Sequence, residues 1–137
     1  MRVCVAIFYQ DNGKKLVDIA KGLVKGIEAN GHQVELIDGV KDKGKKISFY
    51  DYIALGTNAV STMGGKIPPS VSEFLGQCGN MQGKRSFAFI HKGGLRKNKT
   101  LKALMSNMEH EGMFIKNSQI LVNSQEATAI GKRLHIG

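Results

Sequence analysis

The first 38 residues constrain the fold more than any other part of the chain. Val3-Cys4-Val5-Ala6-Ile7-Phe8 is an unbroken apolar run, as expected of a strand buried on both faces. A short polar turn, Tyr9-Gln10-Asp11-Asn12-Gly13-Lys14-Lys15, leads into a stripe of Leu16, Ile19, Ala20, Leu23, Val24 and Ile27. That three- and four-residue spacing is the pattern of an amphipathic helix. Asn30-Gly31 supplies a left-handed stop, and Gln33-Val34-Glu35-Leu36-Ile37-Asp38 begins a second strand. Strand, helix and strand in so short a space make a βαβ unit, which opens a parallel sheet. Ligands of such sheets bind beyond the carboxyl ends of the strands, so residues 9–15 form the first candidate loop.

The rest of the chain alternates in the same way. Residues 41–46 are a charged connector, read as a surface loop, and residues 50–56 a third strand. A polar, glycine-bearing loop runs from 57 to 66. Pro68-Pro69 opens a helix that reaches about residue 78, because first-turn N–H groups have no helical partner to lose. Residues 84–90 read as a fourth strand, followed by a loop over 91–97. Leu101, Leu104, Met105 and Met108 mark the next helix, closed by Gly112, and residues 113–122 a fifth strand with room for an interruption. Asn123 with Glu126 three residues later is a capping-box pattern, ahead of a helix carrying Ala127, Ile130 and Leu134. The expected fold is α/β: one domain over residues 1–137, doubly wound, three-layered, around a five-stranded parallel sheet. Loops 9–15, 57–66 and 91–97 should converge on one sheet edge.

Twenty basic against eleven acidic residues give a net charge of +9, a balance compatible with nucleic acid, an acidic protein partner or a phosphorylated ligand. The lysines are scattered with few aromatic residues between them, which argues for a solvated basic surface rather than nucleic-acid binding. No apolar run is long enough to span a membrane, and the sequence opens directly on a strand with no visible signal peptide. Cys4 and Cys78 show neither metal-ligand spacing nor a disulfide framework, so a cytoplasmic protein with two reduced thiols is expected. His91 is a lone histidine; no metal site surrounds it, and no triad assembles around Cys78 or Ser61. Dinucleotide and P-loop glycine patterns are both missing.

Several segments, taken in order, resemble the flavodoxin family over almost the whole chain. They are Ala6-Ile7-Phe8-Tyr9, the third-strand run ending Leu55-Gly56-Thr57, Ile67-Pro68-Pro69-Ser70-Val71-Ser72-Glu73-Phe74-Leu75, Gly83-Lys84-Arg85-Ser86-Phe87-Ala88-Phe89, and Ile130-Gly131-Lys132-Arg133-Leu134. The resemblance implies the flavodoxin-like sheet order 2-1-3-4-5, FMN as cofactor, and an electron carrier rather than a catalyst with its own substrate. It places Gln10, Asp11, Asn12, Gly13, Lys14 and Lys15 at the FMN phosphate. Thr57, Asn58, Met63 and Gly64 fall around the flavin's reactive edge, and His91, Gly93, Gly94 and Leu95 on its pyrimidine side. Redox partner proteins follow from the same resemblance, and the basic charge makes them acidic ones.

The first loop departs from the family pattern, Ser/Thr-x-Thr-Gly-Asn-Thr, in carrying no hydroxyl. Hydrogen bonds to charged groups contribute roughly 1.5–3 kcal/mol each, so the departure weakens phosphate binding unless something replaces them. Asp11 would repel a phosphate, whereas Gly13 opening a helix and Lys14 or Lys15 would attract one. The second loop likewise has no aromatic ring to stack on a flavin, and Met63 is its one large apolar side chain. An alternative therefore stands beside the first reading: a flavodoxin-fold module that has lost FMN, acting as a binding or regulatory protein or taking another phosphorylated ligand.

Overall fold

A computed structural model of the protein describes residues 1–10, 13–58, 67–91 and 97–136. Among these, five strands form one parallel sheet in the order β2-β1-β3-β4-β5: β1 (Arg2–Phe8), β2 (Gln33–Asp38), β3 (Tyr52–Asn58), β4 (Arg85–His91) and β5 (Phe114–Leu121). Helices α1 (Lys14–Glu28) and α4 (Ser124–Arg133) cover one face. On the other lie α2 (Pro69–Gln77) and α3 (Lys97–His110).

The apolar run of β1 explains this layering. Val3, Val5 and Ile7 pack with Leu16, Ile19 and Leu23 of α1, while Cys4, Ala6 and Phe8 pack with Phe74 of α2 and Leu104 of α3. A strand buried on both faces has no polar alternation to show. Both cysteines are free and buried, and burial pushes both thiols above their ordinary range.

The third strand starts two residues later than expected. Asp51 is used before the ladder: its N–H donates to the Arg2 carbonyl at 2.8 Å and its carboxylate accepts from the Arg2 N–H at 2.9 Å. Tyr50 turns its phenol to Glu35. The anticipated interruption of the last strand is a bulge: Ser86 pairs with Ile115 and Phe87 with Asn117, which leaves Lys116 outside the register. Asn123 caps α4, accepting the Glu126 N–H at 2.8 Å.

The connector between β2 and β3 is an irregular surface segment, as expected, but not a detached one. Ile47 is fully buried and its N–H donates to the Cys78 carbonyl at 3.3 Å. Lys45 pairs with Glu35, and Lys46 donates to the Gln77 carbonyl. The hydrogen bonds from Lys45 first and Tyr50 second hold the Glu35 carboxyl below its usual range.

Helices α1 and α4 cross very closely because glycines meet at the contact. A Cβ on Gly22 would overlap the Ser124 carbonyl oxygen, and one on Gly26 the Thr128 carbonyl oxygen. Gly131 returns the fit, since its Cβ would lie 2.7 Å from the Leu23 carbonyl oxygen. The Thr128 hydroxyl sits 2.9 Å from both the Gly22 and Ser124 carbonyl oxygens and donates between them.

Candidate functional site

The carboxyl ends of β1, β3 and β4 lie side by side, with Phe8 opposite Thr57 and Asn58 opposite His91. The three candidate loops therefore leave the sheet from neighbouring strands at one edge.

Tyr9 organises the first of them. Its phenol donates to Asp38 Oδ2 at 2.6 Å, at the end of β2. That bond to a carboxylate, with burial second, pushes the phenol up to about 12. Gly13 lies against the Tyr9 ring, and a Cβ there would stand 2.6 Å from ring Cγ. Glycine is thus required by the close approach, and α1 begins directly above the ring.

What α1 offers at that point is positive potential. Gly13 provides no side-chain cap, and the first turn has no acidic residue but carries Lys14 and Lys15, both exposed. First-turn N–H groups lack helical partners, and the helix dipole is positive at this end. Helix α3 begins at the same edge with Lys97 and Lys99 in its first turn and again no acid. Lysines there oppose the dipole at about 0.3–1 kcal/mol each, a cost an anion would relieve. By contrast α4 starts conventionally, with Asn123 as cap and Glu126 in its first turn.

At the second loop, Thr57 is fully buried and its hydroxyl donates to the Phe8 carbonyl at 2.7 Å, which ties the end of β3 to β1. Asn58, next along, is half-buried, and its Oδ1 is buried without a hydrogen-bond donor among the described residues. Buried orphaned acceptors cost about 1–3 kcal/mol, so this one marks a place for an N–H from elsewhere.

His91 is half-buried at the end of β4; burial first and the Lys15 charge second lower its pKa. Lys15 and His91, assigned by the resemblance to opposite ends of a ligand, line one cleft of about 270 Å³ with Ile19, Val122 and Asn123. Gln10 is exposed before the turn, and Gly13 is buried beneath it. Asp11, Asn12, Met63, Gly64, Gly93, Gly94 and Leu95 lie outside the described residues. No group of three His, Cys, Asp or Glu is placed to hold a metal among the described residues, and no helix among them is long and apolar enough to cross a membrane.

The Tyr9–Asp38 bond and the orphaned Asn58 oxygen were not legible as site features in the sequence. The helix crossing did leave a signal, the four-residue spacing of Gly22 and Gly26.

A five-stranded parallel sheet in this order, covered by helices on both faces, defines the flavodoxin-like α/β fold. Solved structures agree. The chain is similar to a flavodoxin from the domain Archaea, at 19% identity, covering 97% of this chain and 95% of that one with a TM-score of 0.69. It is similar to oxidised flavodoxin 1 from Bacillus cereus, at 17% identity, 94% coverage of each chain and a TM-score of 0.72. Two-electron reduced Megasphaera elsdenii flavodoxin matches at 20% identity over 93% of this chain and 96% of that one, with a TM-score of 0.68. No protein-family model matches the chain, and no curated protein matches it in sequence.

Proposed function

We propose that this protein binds FMN at the carboxyl edge of its sheet and passes electrons between partner proteins, acidic ones, in the cytoplasm. The observation that carries the reading is the start of α1: an uncapped, acid-free helix end bearing Lys14 and Lys15, set directly after β1. A helix end of this kind attracts phosphate without needing hydroxyls. Asn58 supports the fit to a flavin, because its buried acceptor lacks a donor among the described residues and an isoalloxazine ring carries an N–H. Bound there, FMN would supply reversible uptake and release of electrons.

The chain's own residues would do the rest. Lys14, Lys15 and the first-turn N–H groups would hold the phosphate, the end of the ligand to which the family resemblance also assigns Gln10, Asp11, Asn12 and Gly13. Asn58 with Met63 and Gly64 borders the ring on one side, and Gly93, Gly94 and Leu95 on the other. Thr57 positions by fixing the end of β3 to β1. Structural similarity to flavodoxins described as oxidised and as two-electron reduced supports the redox role. The charge of +9 supports acidic partners, whose association should weaken as salt rises.

A second reading, a different phosphorylated ligand at the same helix end, is favoured by the cleft that Lys15 and His91 share. Titrations with FMN, riboflavin and inorganic phosphate separate the two. The proposal expects FMN to bind at least about tenfold more tightly than riboflavin, with the ratio shrinking in the K14Q/K15Q double variant. Thermal protection by phosphate with no flavin binding would select the second reading.

A further inference from the structure

We propose that the groove along the α1–α4 crossing is a docking site for an extended acidic segment of a partner protein. The inference rests on the acidic-partner half of the reading above and not on the flavin. Two clefts, of about 430 and 270 Å³, adjoin at Asp18 and Ser124 and together follow the crossing from His91 to Lys25. Gly22 lets the helices close on each other, and Lys21 and Lys25 flank the resulting groove. From Lys15 to Lys25 the groove extends about 15 Å at the helical rise of 1.5 Å per residue. That length matches roughly four or five residues of extended chain.

Charge chooses the occupant. Lys15, Lys21 and Lys25 line the groove, all exposed, and none of them is held in an ion pair among the described residues. Asp18 is the single carboxylate lining either cleft among the described residues. A peptide can place a neutral residue or an N–H against Asp18, whereas a phosphodiester chain brings a charge at every repeat. Among the described residues no Phe, Tyr or Trp lines either cleft, so a nucleic-acid strand would find one ring, His91 at the end of the groove, to stack on. At the His91 end Val122 is 47% exposed and offers an apolar rest for one side chain of the segment.

The test is fluorescence anisotropy with a labelled hexapeptide Glu-Glu-Gly-Glu-Glu-Leu, whose glycine falls opposite Asp18, at low salt, on flavin-free protein. The expected result is binding that weakens by about tenfold or more in K21E/K25E and stays within about twofold in K41E/K43E, which changes charge equally on the β2–β3 connector. Equal losses in both variants, no binding by the unaltered protein, or equal displacement by a single-stranded hexanucleotide would each overturn the proposal. Should K21E/K25E fail to fold, amide shifts on the unaltered protein decide: movement centred on Gly22, Ser124 and Thr128 supports the groove, and movement elsewhere contradicts it. Flavin retention is measured separately on K21E/K25E, so loss of peptide with retained flavin and loss of flavin with retained peptide remain distinct results.

Discussion

Tyr9 and Asp38 join the ends of two adjacent strands: the phenol donates to one carboxylate oxygen at 2.6 Å, while the other accepts the N–H groups of Val40 and Lys41 at 3.0 and 3.1 Å. The same ring lies under Gly13, where α1 begins. One tyrosine thus couples β1, β2 and the start of the helix that forms the candidate phosphate site.

Replacing the phenol tests that coupling. Tyr9→Phe should destabilise by about 1 kcal/mol, since the bond to a carboxylate is only part-buried and solvent replaces some of it. The folded state raises the phenol to about 12 from its ordinary 10.0. Its contribution is therefore full below pH 10 and lost as pH rises from 10 towards 12. Urea melts of both proteins across that range should converge at the alkaline end, and a constant difference would contradict the assignment.

Gly13 should depend on Tyr9. Gly13→Ala places a methyl against the ring, and overpacking of this kind costs about 1–3 kcal/mol. In a Tyr9→Ala background the obstacle is gone, and the same substitution should then be near neutral. A double-mutant cycle that shows simple additivity would place Tyr9 and Gly13 out of contact.

Glycines elsewhere in the helices should respond in opposite directions. Gly22→Ala and Gly26→Ala drive a Cβ into backbone carbonyls of α4, which cannot swing aside, so each should lower stability by about 1–3 kcal/mol. Gly76 in α2 has nothing within 4 Å of its Cβ position. Gly76→Ala should therefore stabilise by about 0.5–1 kcal/mol. Thermal melts of the three variants check both signs together.

His91 should titrate below its ordinary 6.5, because burial and the Lys15 charge both disfavour the imidazolium. A lowered folded-state pKa means its contribution to stability is present above pH 6.5 and lost as pH falls through the folded value. Imidazole NMR signals followed from pH 7.5 to about 4.5 give the value directly. Lys15→Gln should raise it, though by less than the burial effect.

Much of the fold was legible from apolar runs and stop signals, because parallel strands buried on both faces carry continuous hydrophobic sequence. Boundaries slipped where a residue is claimed by a contact distant in sequence: Tyr50 and Asp51 read as strand, but Glu35 and Arg2 draw them out of the ladder. The site was legible as a region and not as contacts. Gly13, Lys14 and Lys15 announced a helix start, yet nothing local reveals that Thr57 spends its hydroxyl on Phe8 or that Lys15 and His91 share a cleft. Those relationships depend on strand register, which single-sequence patterns do not specify.

Retention of FMN by a hydroxyl-free turn set before a lysine-bearing helix end is the property on which the proposed function depends. The most direct measurement adds FMN to the purified protein, removes the excess by desalting and records the visible spectrum. Flavin absorption should be retained in proportion to protein and greatly reduced in K14Q/K15Q. A colourless protein that still melts cooperatively would contradict the proposed function.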